Sequence, residues 1–255
     1  MTLFDLQGKV AIITGSSRGI GKAIAERFAE HGARVVISSR KLPACEEVSA
    51  AINARHGDGR AMPIRASLSS KQELEQLVRQ TETEWGHVDI LVCNAATNPY
   101  YGPMGGIADE QFRKVLDNNL LSNHWMIQMV APQMRRRKEG SIIIVSSIGG
   151  LKGSPVIGAY HISKAADLAL ARNLAWEFGR DGVRVNCIAP GLVRTDFAKA
   201  LWDDPQNLRD WNDRAPMARP GEPDEIAGAA VFLASRASSY MTGQVVVIDG
   251  GMTVT

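Results

Sequence analysis

Residues 10–31 read VAIITGSSRGIGKAIAERFAEH, and the fold is decided within this stretch. Val10–Thr14 is almost continuously apolar and β-branched, which predicts a short strand buried on both faces. From Ile20 to His31 the apolar residues recur at helical spacing, which predicts an amphipathic helix. Between them lies Thr14-Gly15-Ser16-Ser17-Arg18-Gly19-Ile20-Gly21. Glycines at 15, 19 and 21 permit a tight turn and close backbone approach, and the helix start behind them presents free N–H groups and a positive dipole end. A strand, a glycine-rich turn and a helix in that order are the context in which such a turn cradles a pyrophosphate. Gly15, Ser17, Arg18, Gly19, Ile20 and Gly21 are therefore candidate phosphate-binding residues.

Working outward, Val/Ile-rich runs alternate with amphipathic stretches along the rest of the chain. Strands are expected at Val10–Thr14, Arg34–Ser38, Ala61–Arg65, Asp89–Asn94, Ser141–Ser146, Arg184–Ile188 and Val245–Ile248. Helices are expected at Ile20–His31, Leu42–His56, Ser70–Trp85, Asp109–Arg137, Tyr160–Phe178, Asp196–Trp211 and Pro223–Ser235. This alternation implies an α/β fold: a doubly wound, seven-stranded parallel sheet with helices on both faces. No linker, repeat or charge block interrupts it, so one domain over 1–255 is expected. Asn98–Gly106 and a region of about 195–220 break the rhythm at strand ends, where open α/β sheets bind ligands. Their aromatics, Tyr100, Tyr101, Phe197, Trp202 and Trp211, are candidate walls of a substrate pocket.

The chain has 255 residues, a formal net charge of +2, 45% hydrophobic and 22% charged residues, and three cysteines. That length supports a full core without a disulfide or metal staple, and the composition argues against disorder. Near-neutral charge gives no footprint for nucleic acid or an anionic membrane. Met1–Lys9 lacks the basic and apolar regions of a secretory signal, and no run approaches a membrane span. A cytoplasmic protein is expected. Cys45, Cys93 and Cys187 are widely spaced with no C-x-x-C, which suits a reducing compartment, and the last two read as inert core thiols. The five histidines show no metal-ligand spacing, so no metal is expected.

Three further features carry chemistry. The second strand ends in Ser38-Ser39-Arg40-Lys41, with no acid to accept ribose hydroxyls. A hydroxyl and guanidinium there, with Arg18 nearby, favour a 2′-phosphate and hence NADP(H) over NAD(H). Tyr160 and Lys164 are four apart on one helix face; an ammonium beside a phenol favours phenolate and makes the pair an acid-base candidate. Ser146 and Ser147 end an apolar strand before Gly149-Gly150, which places a hydroxyl donor at the sheet's carboxyl edge. The G-x-S-x-G elbow of a serine hydrolase is absent.

Together these residues resemble the short-chain dehydrogenase/reductase family along the whole chain. Thr14–Gly21 is similar to its T-G-x-x-x-G-x-G loop. Asn94-Ala95-Ala96 resembles its N-A-G element, with Ala96 replacing the usual glycine. Asn119, Ser147, Tyr160 and Lys164 match its Asn-Ser-Tyr-Lys tetrad, with the serine 13 residues before the tyrosine. Pro190-Gly191 with Val193 and Thr195 is similar to its nicotinamide-side element, and Asp249-Gly250-Gly251 to the end of its last strand. Many relatives carry an Asp after the third strand to contact adenine, where this chain reads Arg65-Ala66-Ser67-Leu68.

The resemblance implies a Rossmann fold and hydride transfer between nicotinamide and a carbonyl or secondary alcohol. By it, Tyr160 is the acid-base; Lys164 lowers its pKa and holds the nicotinamide ribose; Ser147 binds the carbonyl oxygen; and Asn119 organises its helix and a relay water. Ser39, Arg40, Ser67, Leu68, Asn94, Ala95, Ala96, Pro190, Gly191, Val193 and Thr195 complete the implied cofactor site. Within the family the motifs are most similar to the NADPH-dependent carbonyl and retinal reductases. A 3-oxoacyl-thioester reductase is the near rival, and a non-catalytic NADP(H)-binding sensor or scaffold the rival of another class. Arg135-Arg136-Arg137-Lys138 resembles a carrier-docking patch but also suits a helix C-terminus. Family likeness further implies a homotetramer or homodimer, for which the apolar Leu168, Leu170, Leu174 and Trp176 give weak independent support.

Overall fold

Strand β1 (Val10–Thr14) is buried at every position, and its side chains alternate between two cores. Ala11 and Ile13 point into a cluster with Ile24, Phe28 and Ile226; Ile12 points the other way, among Leu77, Val130 and Leu174. The same division holds for Val35 and Ile37 against Val36, and for Ile143 against Ile142 and Ile144. A strand apolar on both faces needs a helical layer on each side, and the chain supplies both.

The computed structural model describes residues 2–254; Met1 and Thr255, the ends of the expected domain, lie outside the described residues. The remaining strands are β2 (Arg34–Ser39), β3 (Ala61–Arg65), β4 (Ile90–Cys93), β5 (Gly140–Val145), β6 (Val183–Pro190) and β7 (Val245–Ile248). They form one sheet of seven in the order β3-β2-β1-β4-β5-β6-β7, with all pairings parallel. Helices α1 (Gly19–Glu30), α2 (Leu42–His56) and α9 (Pro223–Ala234) cover one face, and α3 (Lys71–Trp85), α5 (Ser122–Arg137) and α6 (Gly158–Phe178) the other. The expected seven-stranded, doubly wound architecture is therefore present as a single Rossmann-like domain.

Two expected helices are broken. Asp109–Arg137 is not one helix: α4 (Asp109–Leu116) passes through a π-helical turn at Asp117–Leu121 before α5 begins. Such turns widen a helix locally and collect at functional sites, and this one holds Asn119. Asp196–Trp211 divides into α7 (Lys199–Trp202) and α8 (Pro205–Arg214). Pro205 has no N–H with which to continue α7, and Asp204 Oδ1 instead accepts bonds from Gln206 N (2.9 Å) and Asn207 N (2.8 Å) to start a new helix.

Smaller differences have similar causes. Helix α3 begins at Lys71 because Ser70 caps it, its hydroxyl accepting from Glu73 N at 3.2 Å. Asp89 stays outside β4 and uses Oδ2 to accept from Val10 N at 2.9 Å. Leu168 and Leu174, expected to support an oligomer face, are 4% and 6% exposed and belong to the core of the chain. The basic run at the end of α5 is engaged within the chain: Arg135 Nε donates to Asp181 (2.7 Å), Arg137 to Asp89 (2.8 Å), and Lys138 to Asp181.

Candidate active site

Strand order reverses between β1 and β4, so their connections leave in opposite directions and open a crevice at their carboxyl ends. Asn94, just past β4, ties the crevice together. Its side-chain amide donates to Thr14 O (2.9 Å) and Gly15 O (3.2 Å), while Thr14 Oγ1 accepts from Asn94 N (3.0 Å) and Ala95 N (3.1 Å). Ser16 fixes the loop to β2, its Oγ accepting from Ser38 N at 2.9 Å.

The glycine positions follow from contact. A Cβ on Gly21 would stand 2.5 Å from Gly15 O and from Asn94 Nδ2, and one on Gly15, which has φ +68°, would meet Ala95 at 2.9 Å. Gly19, at φ +55°, faces the Thr195 methyl, which brings the segment after β6 against the loop. Arg18 precedes α1 without a side-chain cap, leaving the first-turn N–H groups available to an acceptor. This cradle, of backbone donors with no room for side chains, fits a dinucleotide pyrophosphate.

The other candidate cofactor positions have the following surroundings. Gly191 backs onto Asp249, whose Cα a Cβ would meet at 2.8 Å. Val193 pairs with Gly221. Thr195 Oγ1 accepts from Ala198 N (3.3 Å) and its carbonyl from Trp202 Nε1 (2.9 Å). Arg40 is exposed at the end of β2; Ser39 Oγ lies 3.3 Å from Lys41 N and 3.2 Å from Cys45 Sγ. Two further candidates have partners within the chain. Arg18 reaches across the crevice to Asp196 (3.1 Å) rather than toward Arg40, and the Ser67 backbone N–H donates to Glu73 Oε2 (2.8 Å).

The tetrad positions converge from three elements. Ser147 follows β5 and accepts from Gly149 N (3.0 Å), leaving its own hydrogen free to donate elsewhere; Ser146, by contrast, is buried and donates to Lys164 O (2.8 Å). The glycines behind them serve close packing. They admit α6: a Cβ on Gly150 would meet Lys164 O at 2.7 Å, and one on Gly149 the His161 ring at 2.5 Å. In the π-helical turn Asn119 is held by Thr97, accepting from its N–H (2.7 Å) and donating to its carbonyl (3.0 Å), and donates to Ser163 Oγ (3.0 Å).

On α6, Lys164 Nζ lies 5.7 Å from the Tyr160 ring centroid. Lys164 is 2% exposed and donates to Val145 O (2.9 Å) and Asp167 Oδ2 (3.0 Å). Burial pushes the Tyr160 phenol above its ordinary pKa; Lys164 and the Ser147 hydroxyl pull it down and Asp167 pushes it up. The ammonium acts in the expected sense, but the net shift is upward. Burial lowers the Lys164 pKa, but Asp167 and Tyr160 more than offset it, so the amine stays charged. Phe197 stacks obliquely on Tyr160 with centroids 5.8 Å apart, so this aromatic does wall the site. Tyr100, by contrast, donates its hydroxyl to Pro103 O (3.0 Å) within its own turn. Burial also raises Cys93 and pushes Cys187 up to about 12, so both are inert thiols at neutral pH.

A family model described as enoyl-(acyl carrier protein) reductase matches residues 15–253. Dehydrogenase/reductase SDR family member 4 from Bos taurus is 41% identical over 247 residues, covering 96% of this chain and 88% of the relative. The chain belongs to the short-chain dehydrogenase/reductase family. It is an NAD(P)-dependent oxidoreductase acting on CH–OH or carbonyl groups. Among solved structures, a gluconate 5-dehydrogenase from Burkholderia cenocepacia in complex with NADP and tartrate superposes with TM-score 0.94 at 31% identity, covering 99% of this chain and 98% of that one. A 7α-hydroxysteroid dehydrogenase complexed with NADH and 7-oxo glycochenodeoxycholic acid gives 0.92 at 36%, with 98% and 96% covered. This dehydrogenase/reductase fold thus accommodates either nucleotide.

Asp167 and Asn123 are the participants that sequence reading missed. Their signal was spacing: Asp167 lies three residues after Lys164, and Asn123 four after Asn119, each on its partner's helix face.

Proposed function

We propose that the chain is an NADP(H)-dependent reductase of ketones or aldehydes, running also as a secondary-alcohol dehydrogenase, with Tyr160, Ser147, Lys164 and Asn119 as its working residues. The approach of the Ser147 hydroxyl to the Tyr160 phenol, beside a buried Lys164 ammonium, carries this reading. When bound, the nicotinamide supplies or accepts the hydride. Ser147 donates to the carbonyl oxygen as charge develops on it, and Tyr160 supplies the proton. A phenol held above its ordinary pKa keeps that proton at neutral pH, which suits reduction. Lys164 holds the nicotinamide ribose, and the glycine cradle the pyrophosphate.

Arg40 supports NADP(H), because no acid stands at the end of β2 to repel a 2′-phosphate. With its nearest contact at Asp196, Arg18 is the weaker candidate for that role. Ser67, through its side chain, and Leu68 take the adenine side, the Ser67 backbone amide being engaged by Glu73. The segment of about 195–220 forms the substrate wall through Phe197. A 3-oxoacyl thioester is the second substrate reading: the matching family model's description names an acyl carrier protein, although with an enoyl rather than a 3-oxo group, and the ion pairs of Arg135, Arg137 and Lys138 within the chain weaken the docking argument for it. Three buried, unbridged thiols suit the cytoplasm. Assembly as a tetramer or dimer is favoured by Trp176, 91% exposed on α6, and Val247, 40% exposed on edge strand β7.

The deciding experiment is a panel of ketones, diketones, quinones and 3-oxoacyl thioesters assayed with NADPH and with NADH. Higher kcat/KM with NADPH is expected, and Tyr160→Phe should lower kcat by about 10²–10⁴-fold while still binding nucleotide. Wild-type turnover in that variant, or a clear preference for NADH, overturns the corresponding part of the proposal.

A further inference from the structure

Asp167 is fully buried at 0% exposure, and a carboxylate taken out of water costs several kcal/mol unless it is well partnered. Its partners here form a chain. Oδ2 accepts from Lys164 Nζ at 3.0 Å, and Oδ1 accepts from Asn123 Nδ2 at 3.1 Å. That same Asn123 amide nitrogen donates to the backbone carbonyl of Asn119 at 2.6 Å. One continuous series of contacts therefore runs from the π-helical turn through Asn123 and Asp167 to Lys164, whose remaining contact, Val145 O at 2.9 Å, lies on β5.

The surroundings identify what the carboxylate faces. From α6 it meets Lys164 and, beyond it, the Tyr160 phenol; from α5, Asn123; from β4 and β6, the Cys93 and Cys187 thiols. Arg172 lies exposed farther along α6. Both thiols are neutral at working pH, so Lys164 is the one cation in contact with Asp167 among the described residues.

Resting on the reductase reading above, we propose that Asp167 is a positioning residue for the Tyr160–Lys164 pair: its carboxylate fixes the Lys164 ammonium in place and balances its charge, so that Tyr160 remains a proton donor. An unbalanced ammonium favours phenolate, whereas a balanced one leaves the proton on the tyrosine. At neutral pH the tyrosine thereby rests in the protonated form from which carbonyl reduction starts.

Removing the carboxylate charge should lower the pH at which the Tyr160–Lys164 pair gives up its first proton, whichever residue loses it, because both routes are opposed by Asp167 in the wild type. Carbon-13 labels at tyrosine Cζ and lysine Cε, assigned with Tyr160→Phe and Lys164→Met, read either route without any turnover. In Asp167→Asn that first proton loss should fall by about one pH unit or more, and the alkaline limb of kcat/KM for reduction should move down with it, while Asp167→Glu should keep both closer to wild type. A lower melting temperature with no movement of either pH curve would reduce Asp167 to a packing residue and overturn the proposal. If Asp167→Asn does not fold, the nucleotide-free wild type decides: Tyr160 should titrate above the ordinary tyrosine pKa of about 10 with Lys164 still charged, and titration near neutrality overturns the proposal. Should no carbonyl be reduced at all, the reductase reading fails, while the labelled titration still reports whether Asp167 balances Lys164.

Discussion

Gly21 shows how one missing side chain maintains the crevice. The Cβ of an alanine there would lie 2.5 Å from both Gly15 O and Asn94 Nδ2, and the backbone oxygen cannot turn aside. The glycine loop must move, so Gly21→Ala should weaken nucleotide binding at least roughly tenfold and destabilise the fold by about 1–3 kcal/mol. Isothermal titration and urea unfolding read the two effects. Gly228, inside α9 with open space around it, is the control, where alanine should add roughly 0.5–1 kcal/mol. Equal behaviour of the two variants would show that contact at Gly21 is not what requires a glycine. At this scale much was legible: Gly15 stands in the turn after β1, and Gly19 and Gly21 in the first turn of α1, where their spacing put a close backbone approach. Less legible were the reasons for Gly149 and Gly150, which make room for His161 and the α6 backbone, because contacts between distant segments leave no local pattern.

The π-helical turn at Asp117–Leu121 is an element set by tertiary contacts. Helical periodicity continues unbroken through Asp109–Arg137 in the sequence, so nothing local marked the turn; it is Asn119, clamped on both sides of Thr97 and bonded to Ser163, that the widened backbone accommodates. Asn119→Ala removes these bonds and leaves the Thr97 amide with no side-chain acceptor. A loss of about 1–3 kcal/mol in urea unfolding is expected, together with lower reductase activity; unchanged stability would mean the backbone holds the turn unaided. Strand positions were far more readable. The bounds of β1, β3 and β7 coincide with those expected; β1, buried on both faces, has to be apolar throughout, whereas the edge strands β3 and β7 are only partly buried and were marked by their short Val/Ile-containing runs. The break between α7 and α8 also had a local sign, in Asp204-Pro205, which reads as a cap and a first-turn proline.

Across the whole molecule, surface ion pairs join segments both distant and near in the chain. Arg27 of α1 holds Asp224 of α9; Arg135 and Lys138 hold Asp181 past the end of α6; Arg219 holds Glu225. Each of these carboxylates titrates below its ordinary range because of its cationic partner, Glu225 at about 2. A carboxyl whose folded pKa lies below its unfolded value stabilises fully above the unfolded value of about 4 and loses that contribution as pH falls toward the folded one. Thermal melts should therefore change little on this account from pH 7 to about 5 and decline between about 4.5 and 2, less so in high salt. Arg219→Ala should reduce the acid-dependent part, and an identical acid profile in that variant would remove Glu225 from the explanation. The sheet's division into two separate cores has a different consequence, for substitution. Ile13 packs with the layer of α1, α2 and α9, and its neighbour Ile12 with the layer of α3, α5 and α6. A size change on one side finds its compensating neighbours within the same layer. The half carrying the glycine-loop helix and the half carrying Tyr160 and Lys164 are therefore separable in packing, so core substitutions beneath the glycine loop should leave the proposed proton-transfer pair undisturbed.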